Sequence, residues 1–453
     1  MATKKVAVVG AGIAGLGAAW RLARRGFDVS VLERESRPGG RARHTSRDGF
    51  TIEASGAMIG TADRALLAWI GELGCNELLS LRPVVPTLVR RNQVRAIDAR
   101  SLFRIARTPG IRLHEALRLI RLPRLASRYG NRIDPERPEL SASLDDRSVA
   151  DFGELYFGRS VVERWMSPLL AHDALADVRE ASRVLFLHRY QRGDNARLGL
   201  LRVPSSELAE QAAAALSTQL GVCVTRIESR RGGGIRISVR DRDRERSEDA
   251  DAVVVATSAS EAAMLAGLEL SLAERDAFAK VRYTPALSLA IALRRPFYSH
   301  PQYIQFPHSE GSPLEAALLE PGVAGGRIPE DRGLALLRAT GAWSQAYFEA
   351  ADETVREELS EAFGRVVPRI HGAELFSEVL REPRAAPRFD VGRYREIADF
   401  TRIQLDRRQQ GRRIYFAGDY LMGPGWNAAL RSGQRAASAI EEDLGSIPAS
   451  PVG

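Results

Sequence analysis

Cysteine is almost missing from this 453-residue sequence, which has only Cys75 and Cys223. That excludes a disulfide scaffold and a multi-cysteine metal or iron–sulfur centre, and it fits a reducing cytoplasm. Lysine is nearly as scarce. Of 65 basic residues only Lys4, Lys5 and Lys280 are lysines, and the rest are arginine. No run of about 20 uncharged apolar residues occurs, so no membrane-spanning helix is expected. There is no zinc-finger spacing and no aromatic RNA-binding signature, so nucleic acid is not an expected partner. Internal repeats and long low-complexity segments are also missing. The start, MATKK followed by an apolar run, has the outline of a secretion signal. However, Gly10, Gly12, Gly15 and Gly17 stud that run, and it continues into an amphipathic helix without a small-residue cleavage site.

What remains is ordinary globular material. Hydrophobic residues make up 44% and charged residues 27%, enough for a large core in two or three domains. The arginine-rich net charge of +8 fits genome composition, or attraction to anionic partners such as a carboxylated substrate or lipid headgroups. Composition sets no oligomeric state.

Residues 5–9 read as a buried strand, 13–25 as a helix and 28–33 as a second strand, a βαβ unit. The turn between the first two is VAVVGAGIAG, residues 6–15. Gly10 permits a tight turn, Gly12 lets backbone approach a pyrophosphate, and Gly15 lets helix and strand pack closely. The helix start at Ile13 and Ala14 offers free N–H groups and a positive dipole end to phosphates. Glu33, closing the second strand, accepts from a ribose diol and repels a 2′-phosphate. Further on, 111–125, 208–220, 354–367 and 427–444 read as helices. Residues 222–227, 235–241, 252–256, 283–293 and 414–417 read as strands, the first two joined by Gly232-Gly233-Gly234. The tail 446–453 reads as loose.

ERESRPGGRAR, residues 33–43, resembles the continuation in two-dinucleotide-binding flavoproteins. The resemblance implies FAD, with Gly39, Gly40 and Arg41 beside its diphosphate and Arg34 also at the cofactor. DGFTIEASGAMI, residues 48–59, resembles the segment that returns to the flavin, which adds Gly56, Ala57 and Met58. By the same likeness Val224 lies against the adenine and Ala256, ending DAVVVAT, near the ADP moiety. RIYFAGDY and GPGWNAALRSGQRAA place Gly418 and Asp419 at the ribityl or diphosphate end. They set Trp426, Asn427 and Ala428 at a helix start aimed at the flavin's C2 carbonyl, where a positive end stabilises anionic reduced flavin.

In order and span these segments resemble the amine oxidase and protoporphyrinogen oxidase superfamily. Residues 148–170 and 385–397 are most similar to protoporphyrinogen or coproporphyrinogen oxidases. The chain departs from them at Ala171-His172-Asp173, Arg393, Asp419 and Trp426-Asn427-Ala428. The resemblance implies an α/β fold: a Rossmann-like FAD domain with an inserted α+β substrate domain. The expected division is FAD domain 1–81, 201–275 and 386–453, and substrate domain 82–200 and 276–385. It also implies an FAD-dependent oxidoreductase that takes hydride from a substrate C–H bond, with oxygen or another acceptor. Polyene or terpenoid desaturation, amine or amino-acid oxidation and a non-catalytic flavin-binding role stay open. Amine oxidases hold a lysine on the substrate-domain strand; here 286–293 has none, and Ser288 stands near that place. No catalytic base and no metal site stands out. His172 can act in catalysis or cap a helix end, and His44 can touch cofactor or solvent. Tyr283, Tyr303 and Trp343 can line an aromatic pocket or pack in the core. The alternation of Arg with Leu and Ile over 104–128 fits a membrane surface or a solvated helix face.

Overall fold

The computed structural model describes residues 3–54, 58–75, 82–98, 101–193, 198–242 and 244–445. Five parallel strands form the first sheet, in the order Ser217–Leu220, Asp28–Glu33, Lys5–Val9, Ala252–Val255, Ile414–Phe416. Parallel sheets are covered on both faces, so their strands read as continuous apolar runs. That is why VAVV and AVVV show no alternation. Val6, Val8 and Val254 face the helices Ile13–Arg24 and Trp426–Leu444. Ala7, Val9, Val253 and Val255 face a three-stranded antiparallel meander, Val222–Ser229, Ile235–Asp241 and Arg244–Ala250. The two helices cross at glycine: a Cβ on Gly433 would sit 1.9 Å from the Ala14 carbonyl oxygen.

The second sheet has seven strands. Their order is Glu374–Pro387, Tyr283–Leu293, Gly333–Ala339, Leu314–Pro321, Gln302–Gln305, Val85–Arg90, Gln93–Ala96, with one parallel pair, Gln302–Gln305 beside Val85–Arg90. A helical region, 101–192, packs around Phe152, Trp165, Phe186 and Tyr394. The architecture is α/β, a Rossmann-like sheet joined to an α+β part, as the resemblance implies.

Two expectations are corrected. Residues 208–220 are not one helix: the helix Ser205–Ala214 ends, and Ser217–Leu220 joins the first sheet as an edge strand beside Ser30–Glu33. Residues 111–125 form two helices, Leu113–Arg118 and Arg121–Tyr129. Pro123 lacks an N–H and is tolerated only in a first turn, so the chain must restart before it. The strand Arg244–Ala250 was not among the expected elements; only one of its seven residues is buried.

Candidate active site

The cofactor groove opens at the C-terminal edge of the first sheet, where Lys5–Val9 is flanked by strands on both sides. Open α/β sheets bind ligands at this switch point. Its volume is about 290 Å3, and its walls include Gly10, Gly12, Ile13, Ala14, Glu33, Arg34, Gly40, Arg41, Val224, Ala256, Gly418, Asp419 and Trp426. These expected residues, distant in sequence, are therefore brought together. Gly10 has φ +100, which favours glycine, and Gly12 caps the helix Ile13–Arg24 without a side-chain bond or any acid in the first turn. That helix start faces the groove with its N–H groups unopposed, as an anion requires. A Cβ on Gly12 would meet nothing within 4 Å, whereas one on Gly15 would lie 1.9 Å from the Gly10 carbonyl oxygen. Gly15 thus sits in packing and not on the groove wall. Glu33 is buried; its Oε2 accepts from the Ala11 N–H at 2.7 Å and its Oε1 from the Glu35 N–H at 3.0 Å. A carboxylate has about four lone-pair sites, so ribose hydroxyls still find acceptors there. The residues present fit an adenosine diphosphate.

Arg34 turns its guanidinium to Glu261 at 2.7 Å. Arg41 pairs with Asp419, Nη2 to Oδ2 at 2.7 Å, and donates to the Ala385 carbonyl oxygen at 2.9 Å. Burial raises the Asp419 pKa and the Arg41 charge pulls it back only in part. The groove continues past Arg41, Asp419 and Trp426 into an inner cavity of about 210 Å3. There the helix Trp426–Leu444 begins at Gly425, again without a side-chain cap. Met58 and Asn427 line this cavity, and the Asn427 Oδ1 accepts from the Leu66 N–H at 3.1 Å. Ala428 lies behind it, beside Gly423. Gly56 and Ala57 lie outside the described residues.

Sequence reasoning missed the cationic wall of the inner cavity. Arg189 and Arg192 come from the helix Arg183–Arg192 and Arg338 from the strand Gly333–Ala339. Arg189 donates to the Leu169 carbonyl oxygen at 3.4 Å, and Arg338 to the Tyr303 hydroxyl at 3.4 Å. The opposing carboxylates are Asp63, Asp419 (held by Arg41) and Glu382 (held by Arg43 at 3.0 Å). The local balance is positive. Arg189 and Arg192 are one helical turn apart, a legible spacing, but nothing in sequence links them to Arg338.

Several expected candidates go elsewhere. His44 is tied to the Ser206 hydroxyl at 2.7 Å and does not line the groove. Tyr283 does line it; its hydroxyl accepts from the Ala259 N–H at 3.1 Å, and burial pushes its pKa up to about 12. Tyr303 is in the core, and Trp343 stacks on Tyr347 at 4.3 Å, so these three aromatics do not share a pocket. Ser288 is buried beside Arg338 in the sheet, and Lys280 is on the surface with Asp276. The His172 side chain lies outside what is described. Arg393 holds the Tyr420 carbonyl oxygen at 2.9 Å and Glu396 at 2.9 Å. Among the described residues no cluster of His, Cys, Asp or Glu is arranged for a metal ion, and no helix is long and apolar enough to cross a membrane.

The helix carrying Arg189 and Arg192 is anchored by His188. The Ser141 hydroxyl donates to the Arg132 carbonyl oxygen, so its oxygen accepts from His188 Nε2–H at 2.8 Å. Burial first, with Arg192 adding, drops the His188 pKa from 6.5 to about 3, against a smaller opposing effect of Asp134. The unfolded chain then binds a proton that the native protein refuses. This stability is present above pH 6.5 and lost as pH falls towards 3, by about 1.4 kcal/mol per unit. Acid-unfolding curves of His188→Phe should lack that slope.

The groove, the switch-point sheet and the two open helix starts define a dinucleotide-binding flavoprotein. A family model for flavin containing amine oxidoreductases matches residues 13–441. The chain belongs to this family and is an FAD-dependent oxidoreductase. Protoporphyrinogen oxidase 2 of Arabidopsis thaliana is 25% identical over 184 residues, 38% of this chain and 33% of that protein. The zeta-carotene-forming phytoene desaturase of Myxococcus xanthus is 54% identical over 56 residues, 12% of this chain and 11% of that protein. The matches thus span a third or less of these curated relatives. A solved putrescine oxidase, redesigned for cofactor binding, superposes with TM-score 0.76 at 17% identity, covering 97% of this chain and 99% of that one. That likeness is one of fold.

Proposed function

We propose that this oxidoreductase removes hydride from a C–H bond of an apolar, carboxylate-bearing substrate, of which porphyrinogens are the leading class, and passes electrons to oxygen or another acceptor. The observation that carries the reading is the inner cavity, where Leu66, Leu169, Leu175 and Ala286 stand among Arg189, Arg192 and Arg338. Bound FAD supplies the hydride acceptor. The arginines hold an anionic group by charge-assisted bonds and disfavour an ammonium, while the apolar wall excludes water. The lack of a lysine on the cavity-facing strand also speaks against standard amine oxidation. The test is anaerobic bleaching of the visible flavin band with porphyrinogens, carotenoid precursors, amines and amino acids. Porphyrinogens should bleach it, and Arg338→Leu should weaken carboxylate binding by about tenfold to a hundredfold. Bleaching by amines or carboxylate-free polyenes, with porphyrinogens inert, overturns the reading.

We also infer peripheral contact with an anionic bilayer. Phe103, Leu113, Leu117 and Ile120 are each more than 60% exposed, amid exposed Arg104, Arg107, Arg112, Arg121 and Arg124. The one acid between 101 and 133, Glu115, is buried against Ser160. Arg104 pairs with Asp98 and Arg112 with Glu115, yet arginine still outnumbers acid here, and apolar side chains flanked by such an excess suit an interface of acyl chains and anionic headgroups. The protein should sediment with phosphatidylserine vesicles and not with pure phosphatidylcholine, and Leu117→Glu should release it.

A further inference from the structure

Beside the inner cavity lies a larger chamber of about 650 Å3. Ala171, Ala174, Phe306, Leu314 and Phe389 give it an apolar lining. Among the described residues the two compartments share two wall residues, Pro168 and Leu175. Leu175 ends the helix Ser167–Ala174 in the left-handed conformation, φ 49, which a side-chain-bearing residue adopts at a cost. Its hydrophobic neighbours are three alanines, Ala286, Ala385 and Ala386. Among the described residues the partition is Pro168 and Leu175, and the hydrophobic cluster of Leu175 holds only alanines.

The chamber wall next to Arg338 carries Glu315. It is the extra residue at a register shift in the strand Leu314–Pro321, between Leu314 opposite Ala339 and Ala316 opposite Arg338. Bulges of this kind re-aim a side chain and recur beside binding sites. The residue is partly exposed, yet its Oε2 is out of contact with solvent and has no hydrogen-bond partner among the described residues. Burial, with Arg338 opposing and Asp177 adding, pushes its pKa up to about 8, so at neutral pH it is an uncharged acid that donates as well as accepts.

We infer that cavity and chamber form one binding site in two compartments for an elongated carboxylate. Arg189 and Arg192 hold the carboxylate, the chain passes Leu175 into the chamber, and a polar group that it carries there meets Glu315. This rests on the carboxylate reading of the inner cavity, and the test separates the two. The probes are straight-chain alkanoates from butanoate to dodecanoate, and 12-hydroxydodecanoate, titrated calorimetrically into the FAD holoenzyme. Once the chain outgrows the inner cavity, each added methylene should tighten binding about fourfold. Ala342 is exposed and lines the chamber alone. Ala342→Trp should weaken dodecanoate at least tenfold and leave butanoate unchanged, while Leu175→Ala should ease entry of long chains. The terminal hydroxyl should improve binding to the wild type and not to Glu315→Leu. Affinity flat with length, or Ala342→Trp affecting all lengths alike, overturns the two-compartment site while sparing the arginine reading. If no alkanoate binds, both fall.

Discussion

Gly12→Ala is expected to purify as a folded but colourless protein. The added methyl group would meet no protein atom within 4 Å, and Gly12 has φ −76, which any residue adopts. The apoprotein should therefore unfold within about 1 kcal/mol of the wild type, the small penalty reflecting alanine's poorer fit as a helix cap. That methyl group would occupy the space where we place the FAD diphosphate. Displacing it forfeits charge-assisted bonds to the helix N–H groups, each worth about 1.5–3 kcal/mol, so FAD affinity should drop by on the order of a hundredfold or more. Gly15→Ala supplies the contrast. Its Cβ would press 1.9 Å from the Gly10 carbonyl oxygen and 3.2 Å from the Ala256 Cβ. Crowding of backbone in the first turn should cost about 3 kcal/mol or more before any cofactor is added. Visible absorbance after reconstitution, set beside apoprotein melting curves, separates the two. A yellow Gly12→Ala protein with wild-type affinity would move the diphosphate elsewhere.

The contrast between those neighbouring glycines shows what the sequence can and cannot disclose. The βαβ start was legible because a parallel strand buried on both faces leaves an unbroken apolar run, and because Glu33 falls where that unit must end. The last strand and helix were legible for the same reason. Ser217–Leu220 was not, because an edge strand with one buried neighbour carries little hydrophobic signal, and Arg244–Ala250 looks like a charged loop for the same reason. Gly10, Gly12 and Glu33 could be proposed from the ends of recognisable elements, and the remaining groove residues from the resemblance of their segments to flavoproteins. The arginines of the inner cavity could not. Arg338 is one of many arginines, and only the sheet pairing that sets it beside Ser288 and Ala316 brings it towards Arg189. The aromatic candidates failed in a related way: an aromatic residue reads alike in a core and in a pocket, and Tyr303 and Trp343 proved to be packing.

Arg327→Met should be the most destabilising single change away from the groove. The Arg327 side chain is 2% exposed and bridges Glu53 at 3.2 Å, whose side chain is fully buried, and Glu320, which is 3% exposed. Glu320 also meets Arg82 at 3.2 Å, and the Glu53 Oε1 accepts from the Ser205 hydroxyl at 3.0 Å. This network joins the strand Phe50–Glu53, the start of the helix Ser205–Ala214 and the strand Leu314–Pro321 of the second sheet. A buried pair gains little over well-packed apolar groups, but removing one partner strands the other charge, at a cost of about 3–5 kcal/mol. The melting temperature should then fall by roughly 3–5 °C. The pH dependence distinguishes this cause from simple loss of packing. Burial already holds the Glu53 pKa above its ordinary value, with Arg327 and Ser205 pulling it down. A carboxyl with a raised folded-state pKa binds protons more tightly in the native state, so its burden on stability grows as pH rises above about 4.5. Without Arg327 the shift widens. The deficit of the variant should be smallest near pH 4.5 and largest at neutral pH, and adding Glu53→Gln should recover part of it. A deficit independent of pH would mean that Arg327 serves through its packing and not through its charge.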